Sequence, residues 1–190
     1  MRLQELRERV RFWRGVDRLG PDIPLTHWRL FFRSTMRDLC RAKFKHFAHT
    51  ADFRPGAYAI FPSMISIGER VVIRPGTMLF ADEYEGITIE DDVLIGSGAH
   101  FYTNDHRFSD PNTPIIDQGY TPSKPVRVRR GAWIGANAII LAGVTVGVNA
   151  VVGAASVGTR DVPDRTVAVG SPARVVRRIG ETEREQAGVK

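Results

Sequence analysis

Residues 128–157, VRRGAWIGANAIILAGVTVGVNAVVGAASV, place Val128, Ile134, Ile140, Val146 and Val152 at a strict spacing of six. An amphipathic helix would put apolar residues three and four apart, and a half-buried strand would alternate at two. A period of six fits a parallel β-helix, in which each short strand ends in a corner and one residue per hexad points into a narrow interior. The spacing extends towards the N-terminus through Ile89, Ile95 and Phe101, and before them Ile67, Ile73 and Leu79. Four residues after these positions stand small or β-branched side chains, as a tight corner demands: Val71, Thr77, Val93, Ala99, Ala132, Ala138, Val144, Ala150 and Ser156. Glycine follows the apolar residue directly at Gly68, Gly96, Gly135, Gly147 and Gly153. These glycines are expected to supply the positive φ that some corner residues need. Gly158 takes the next hexad position and is expected to end the regular winding. No coil buries its apolar row alone, so stability is a sum of interfaces between neighbouring coils.

Two breaks interrupt the period. Four extra residues, around Glu83–Gly86, separate Leu79 from Ile89, and a longer insertion, 102–126, separates Phe101 from Val128. The insertion is rich in Pro, Asp and Asn but also holds Ile115 and Ile116, which suits an ordered, pre-shaped loop. It is the expected active-site loop.

Outside the array the composition changes. Residues 1–49 hold 12 Lys/Arg against 5 Asp/Glu, whereas residues 50–190 hold 15 against 16. The net charge of +6 therefore belongs to the N-terminal segment. The chain divides into a basic helical segment at 1–49, a β-helix at 50–179 and a tail at 180–190. Within 26–47, Trp28, Phe32, Met36, Leu39, Phe44 and Phe47 recur at roughly helical spacing, and a second short amphipathic stretch covers residues 2–14. LGPDIP breaks the two apart. The favoured reading is an α-helical cap over the open end of the solenoid; the sharper one is a patch for peripheral contact with anionic lipid. No nucleic-acid-binding motif accompanies the charge, which argues against nucleic acid as a partner. The single cysteine, Cys40, forms no internal disulfide. With no run of about 18 apolar residues and no apolar leader, a cytoplasmic protein is expected.

The run AWIGANAIILAGVTVGVNAVVGAASV, continuing to VGSPARVV, resembles the left-handed β-helix acyltransferases with hexapeptide repeats. It is most similar to galactoside and maltose acetyltransferases and O-antigen-type sugar O-acetyltransferases, and PIIDQGYTPSKPV before WIGAN is similar to the polysaccharide-modifying branch. The resemblance covers roughly residues 60–179 and implies a mainly β, left-handed prism. It also implies a homotrimer binding acetyl-CoA between neighbouring prisms, without a metal. The implied reaction is acetyl-CoA-dependent O-acetylation of a sugar, free or lipid-linked, in polysaccharide or lipopolysaccharide biosynthesis. N-acetylation of an amino sugar nucleotide, acetylation of an antibiotic, and a scaffold that has lost transfer chemistry are the alternatives.

Transfer to a hydroxyl needs a base, an oxyanion donor and alignment of both substrates. His106, in TNDHRF, matches the family's catalytic histidine, and imidazole is the natural base near neutral pH. Asn104 and Asp105 beside it either orient the ring, bind the acceptor or shape a turn; Asp82 and Tyr84, in the first break, are expected to reach the acceptor of an adjacent subunit. By resemblance Trp133 stands beside the substrate channel, and Ala136, Ala154 and Thr159 line the pantetheine groove. Arg160 and Arg177 are placed to meet CoA phosphates. A backbone N–H near Ala136 is the expected oxyanion donor. Zinc chemistry of the kind that uses three histidines on this prism is disfavoured, because residues 51–99 contain no histidine to join His100 and His106.

Overall fold

The computed structural model describes residues 3–180. Short strands stack into three parallel sheets that form the faces of a prism. Face one runs through Tyr58–Ile60, Met78–Phe80, His100–Tyr102, Ile139–Ile140 and Val157–Gly158, with Arg18–Leu19 added antiparallel at its edge. Face two comprises His46–Phe47, Ile65–Ile67, Ile87–Ile89, Val126–Val128 and Thr145–Val146. Face three comprises Asp52–Phe53, Val72–Ile73, Leu94–Ile95, Trp133–Ile134, Val151–Val152 and Thr166–Val169, closed by antiparallel Arg174–Arg178.

Register keeps each apolar row continuous. Ile73 pairs with Ile95, Ile95 with Ile134, Ile134 with Val152 and Val152 with Ala168. All eleven hexad residues are buried, as are the nine small or β-branched corner residues. The result is a chain of dry interfaces between coils, each coil's unpaired edge covered by the next.

Four expectations change. The glycine directly after the apolar residue does not carry positive φ; that falls on the residue two places later, as at Arg70, Gly98, Asn137 and Asn149. What the first glycine supplies is room: a Cβ on Gly135 would lie 2.4 Å from the Ala154 nitrogen of the next coil. Second, Gly158 does not end the winding. Its strand pairs with Ile139–Ile140, Val162 then bridges to Val146, and Thr166–Val169 adds one more strand to face three. Gly158 is small because the Ile140 Cδ1 fills the interior beneath it, 3.3 Å from where a Cβ would sit.

Third, winding begins at His46, inside the segment assigned to the cap. Phe47, Phe53 and Ala59 are buried at the hexad spacing and form a first coil. Fourth, residues 26–47 are not one helix. Three helices precede the prism: α1 (Leu3–Gly15), α2 (Pro24–His27) and α3 (Arg33–Lys43), with a 3-10 turn at Trp28–Phe31. At Phe32 the backbone turns extended (φ −114°, ψ 120°), which separates the turn from α3. Met36, Leu39 and Cys40 of α3 join the prism core as a cap, whereas Trp28 and Phe32 lie exposed. Among the described residues no helix is long and apolar enough to cross a membrane. The expected tail, Gly180 aside, lies outside the described residues.

Candidate active site

A regular coil turns its corners in a few residues and leaves no reach for a functional group. Both breaks in the period occur after strands of face one: 81–86 follows Met78–Phe80, and the long loop follows His100–Tyr102. Because these strands are neighbours in the sheet, the two excursions emerge side by side. His106, the expected base, and Asn104, Asp105, Asp82 and Tyr84, expected at the acceptor, line one cleft of about 930 Å³ within a single chain.

Asp82 ties the walls together. Its carboxylate accepts hydrogen bonds from the Asn104 amide (2.9 Å), the backbone N–H of Tyr84 (2.9 Å) and Glu85 (2.7 Å), and the Ser123 hydroxyl. Partial burial alone would push this carboxyl up; the Ser123 hydroxyl, the two backbone donors and Asn104 outweigh it and hold the group below its ordinary 3.8. The carboxylate thus stays ionised and fixes Asn104 rather than waiting for a proton.

His106 sits on the exposed lip of the loop, its ring against Tyr120 at 4.6 Å between centroids. Its position is set by the backbone. The His106 N–H donates to the Asp105 carboxylate (2.8 Å), the Arg107 N–H to Gly119 O (2.9 Å) and the Thr121 N–H to Asp105 O (2.7 Å). The far end of the loop is also ordered: the Gln118 amide donates to Asp110 O (2.8 Å) and Thr113 O (2.7 Å), and Asp110 accepts from the Thr113 hydroxyl (2.6 Å). Asp105 therefore has a turn-forming job and Asn104 a fixed amide. Tyr84 stands exposed at the rim, its phenol pushed up by its hydrogen bond to Glu83 and by that group's charge.

Further parts of the cleft escaped the sequence reading. Phe80 and Tyr102 stack with ring planes 10° apart and centroids at 4.9 Å, forming an aromatic wall. Tyr102 OH lies 2.8 Å from His100 Nδ1, and its phenol is pushed up by burial and then by the Asp105 charge. The spacing held a signal for the wall, since both rings directly follow a hexad position on adjacent coils. Arg18, contributed from distant sequence, left none, and Ser123 was marked only by lying in the expected active-site loop.

The residues expected to hold the CoA lie elsewhere. Trp133 projects from face three, and Ala136 and Ala154 stack at the corner between faces three and one, where the Ala155 N–H donates to Ala136 O (2.8 Å). Thr159 and Arg160 follow the last strand of face one, and Arg177 lies in the C-terminal hairpin. All six are exposed and none lines the cleft, so one chain does not bring the two sets into one pocket. The corner suits a long, slender ligand: Ala136 and Ala154 present only methyl groups, leaving a shelf along the stack. Among the described residues no group of three His, Cys, Asp or Glu is placed to hold a metal ion.

A family profile described as "Hexapeptide repeat of succinyl-transferase" matches residues 125–157. The chain is 31% identical over 146 residues to a galactoside O-acetyltransferase of Escherichia coli, covering 77% of this chain and 70% of that protein. It is 36% identical over 126 residues to a probable acetyltransferase of Mycobacterium tuberculosis, a match spanning 60% of this chain but only 42% of the mycobacterial protein. Among solved structures, a hexapeptide-repeat acetyltransferase of Vibrio cholerae complexed with acetyl-CoA superposes with a TM-score of 0.73 at 31% identity, covering 82% of this chain and 86% of that one. A galactoside acetyltransferase in complex with coenzyme A gives 0.71 at 30% identity, covering 80% and 73%.

Proposed function

Because the chain belongs to the hexapeptide-repeat acetyltransferases, we propose that it transfers an acetyl group from acetyl-CoA to a sugar hydroxyl, with His106 as the general base. The observation that carries this reading is the cleft itself: an accessible imidazole, a fixed amide and an aromatic wall converge where winding is interrupted. Aromatic faces suit the apolar faces of a pyranose, and Asn104, held by Asp82, offers a fixed polar contact to its hydroxyls.

Acetyl-CoA supplies an activated carbonyl. The chain's own task is to hold the acceptor and move its proton. A ring nitrogen of His106 takes the proton from the attacking hydroxyl and returns it to the departing thiolate sulfur. Deprotonation by a positioned base contributes about 10²–10⁴ in rate. A backbone N–H near Ala136 meets the developing oxyanion. Trp133, Ala136, Ala154 and Thr159 hold the pantetheine arm, and Arg160 and Arg177 the phosphates.

Separation of the two residue sets on one chain favours a homotrimer, in which the cleft of one protomer faces the alanine shelf of its neighbour. We place the reaction in the cytoplasm and in the modification of a polysaccharide or lipopolysaccharide precursor. An acceptor screen with acetyl-CoA, read as free thiol release, tests this. Release is expected with hydroxyl sugars. Release with amino sugars alone would move the assignment to N-acetylation.

A further inference from the structure

The N-terminal segment buries one side of α3 and leaves a different surface uncovered. Trp28, Phe31 and Phe32 are 70%, 58% and 65% exposed. Soluble proteins expose single apolar residues routinely, but three large rings within five residues form a patch. The Trp28 and Phe31 rings lie 6.0 Å apart between centroids, and Phe31 meets the His27 ring edge-on at 5.5 Å. The knob is fixed, not frayed: the Thr35 hydroxyl donates to Arg29 O (2.7 Å) and Phe32 O (3.1 Å), tying the 3-10 turn to the start of α3. Arg29 and Arg33, both exposed, flank the rings.

A second element of the same segment is equally uncovered. No residue of α1 is buried; Leu3, Leu6 and Phe12 stand exposed among Arg7, Arg9, Arg11 and Arg14. Charge selects the occupant. This segment carries 12 Lys/Arg against 5 Asp/Glu while the remainder is close to neutral, so contact between two such segments would oppose like charges. A bilayer rich in anionic headgroups satisfies both features, because Trp and Phe settle at the interface and Arg reaches the phosphates.

We propose that the Trp28–Phe31–Phe32 knob, with its flanking arginines and α1, docks the protein onto an anionic lipid bilayer. The knob and its arginines are separate from the cleft lining, so either assignment can fail without the other. The test is sedimentation of the full chain with vesicles of phosphatidylcholine and phosphatidylglycerol in equal parts, and with phosphatidylcholine alone. Binding is expected only to the anionic vesicles and weakens as salt is added. The triple change Trp28→Ser, Phe31→Ser, Phe32→Ser lowers the partition coefficient about tenfold or more, and Arg29→Glu with Arg33→Glu lowers it about as much without touching a ring. Thiol release with a soluble sugar stays unchanged in both. Wild-type protein that ignores the anionic vesicles overturns the proposal. So does a triple variant that binds them normally but loses a subunit in light scattering, which would assign the knob to a second copy of the chain.

Discussion

The stretch 128–157 and the loop just before it use their residues in opposite ways. In the stretch, the hexads repeat the same contacts: an apolar side chain inward, a positive-φ residue at every corner, and at Gly135, Gly147 and Gly153 a glycine where the next coil presses close. Around the loop, hydrogen bonds are made by particular side chains, Asp82 of the neighbouring excursion and Asp105, Asp110 and Gln118 of the loop itself, each in a distinct role. Repetition stabilises the prism but gives no residue a unique environment; the excursions supply that environment and borrow rigidity from the coils beneath. The difference predicts that changes in the stretch act on folding and changes around the loop act on chemistry.

The largest break of that contrast would come at Gly135. Gly135→Val sets a side chain against the Ala154 nitrogen and should cost about 3 kcal/mol or more, seen as a large fall in Tm. One residue on, Ala136→Leu projects from an exposed corner. It should leave Tm nearly unchanged, within about 0.5 kcal/mol, while weakening acetyl-CoA binding measured by calorimetry. Equal losses of stability at both sites would erase the distinction between coil spacing and ligand shelf.

Around the loop the expectation reverses. Asp82→Ala strips the acceptor from Asn104, Ser123 and two backbone N–H groups, at a local cost of about 1–3 kcal/mol. Turnover should fall by about tenfold or more with little change in the melting of the coils. Acid gives a finer probe. A carboxyl held below 3.8 stabilises the fold fully above that value, and the contribution disappears as pH falls through its lower folded value. Amide exchange at Thr121 and Lys124 should therefore quicken in acid before exchange in the coils does. Asp82→Asn should show the faster exchange already at neutral pH.

The smallest effect tests the cap. Burial, and then the charge of Asp52, push the Cys40 thiol up to about 12, so iodoacetamide at mildly alkaline pH should leave the folded protein unlabelled. Rapid labelling would mean that α3 does not stay docked on the first coil.

How much of this could be read from sequence follows the same division. The five hexads from Val128 were legible because every coil repeats one constraint. The first coil, Phe47, Phe53 and Ala59, was not: it starts inside a stretch whose aromatic spacing also suits a helix, and only the extended backbone at Phe44 and the strand at His46 separate the two. The glycines were seen but given the wrong task, since closeness between coils is a tertiary fact that period alone does not carry. In the site, His106, Asn104, Asp105, Asp82 and Tyr84 were identifiable and do share one cleft. Ser123 was not, because its partner Asp82 is 41 residues away and no local pattern joins them.

The most direct measurement is acetyl transfer by His106→Ala, followed as thiol release with a sugar acceptor, alongside acetyl-CoA affinity and Tm. The expected loss of turnover is about 10²–10⁴, with affinity and Tm nearly those of the parent. Turnover equal to the parent's in a folded, CoA-binding variant would contradict it.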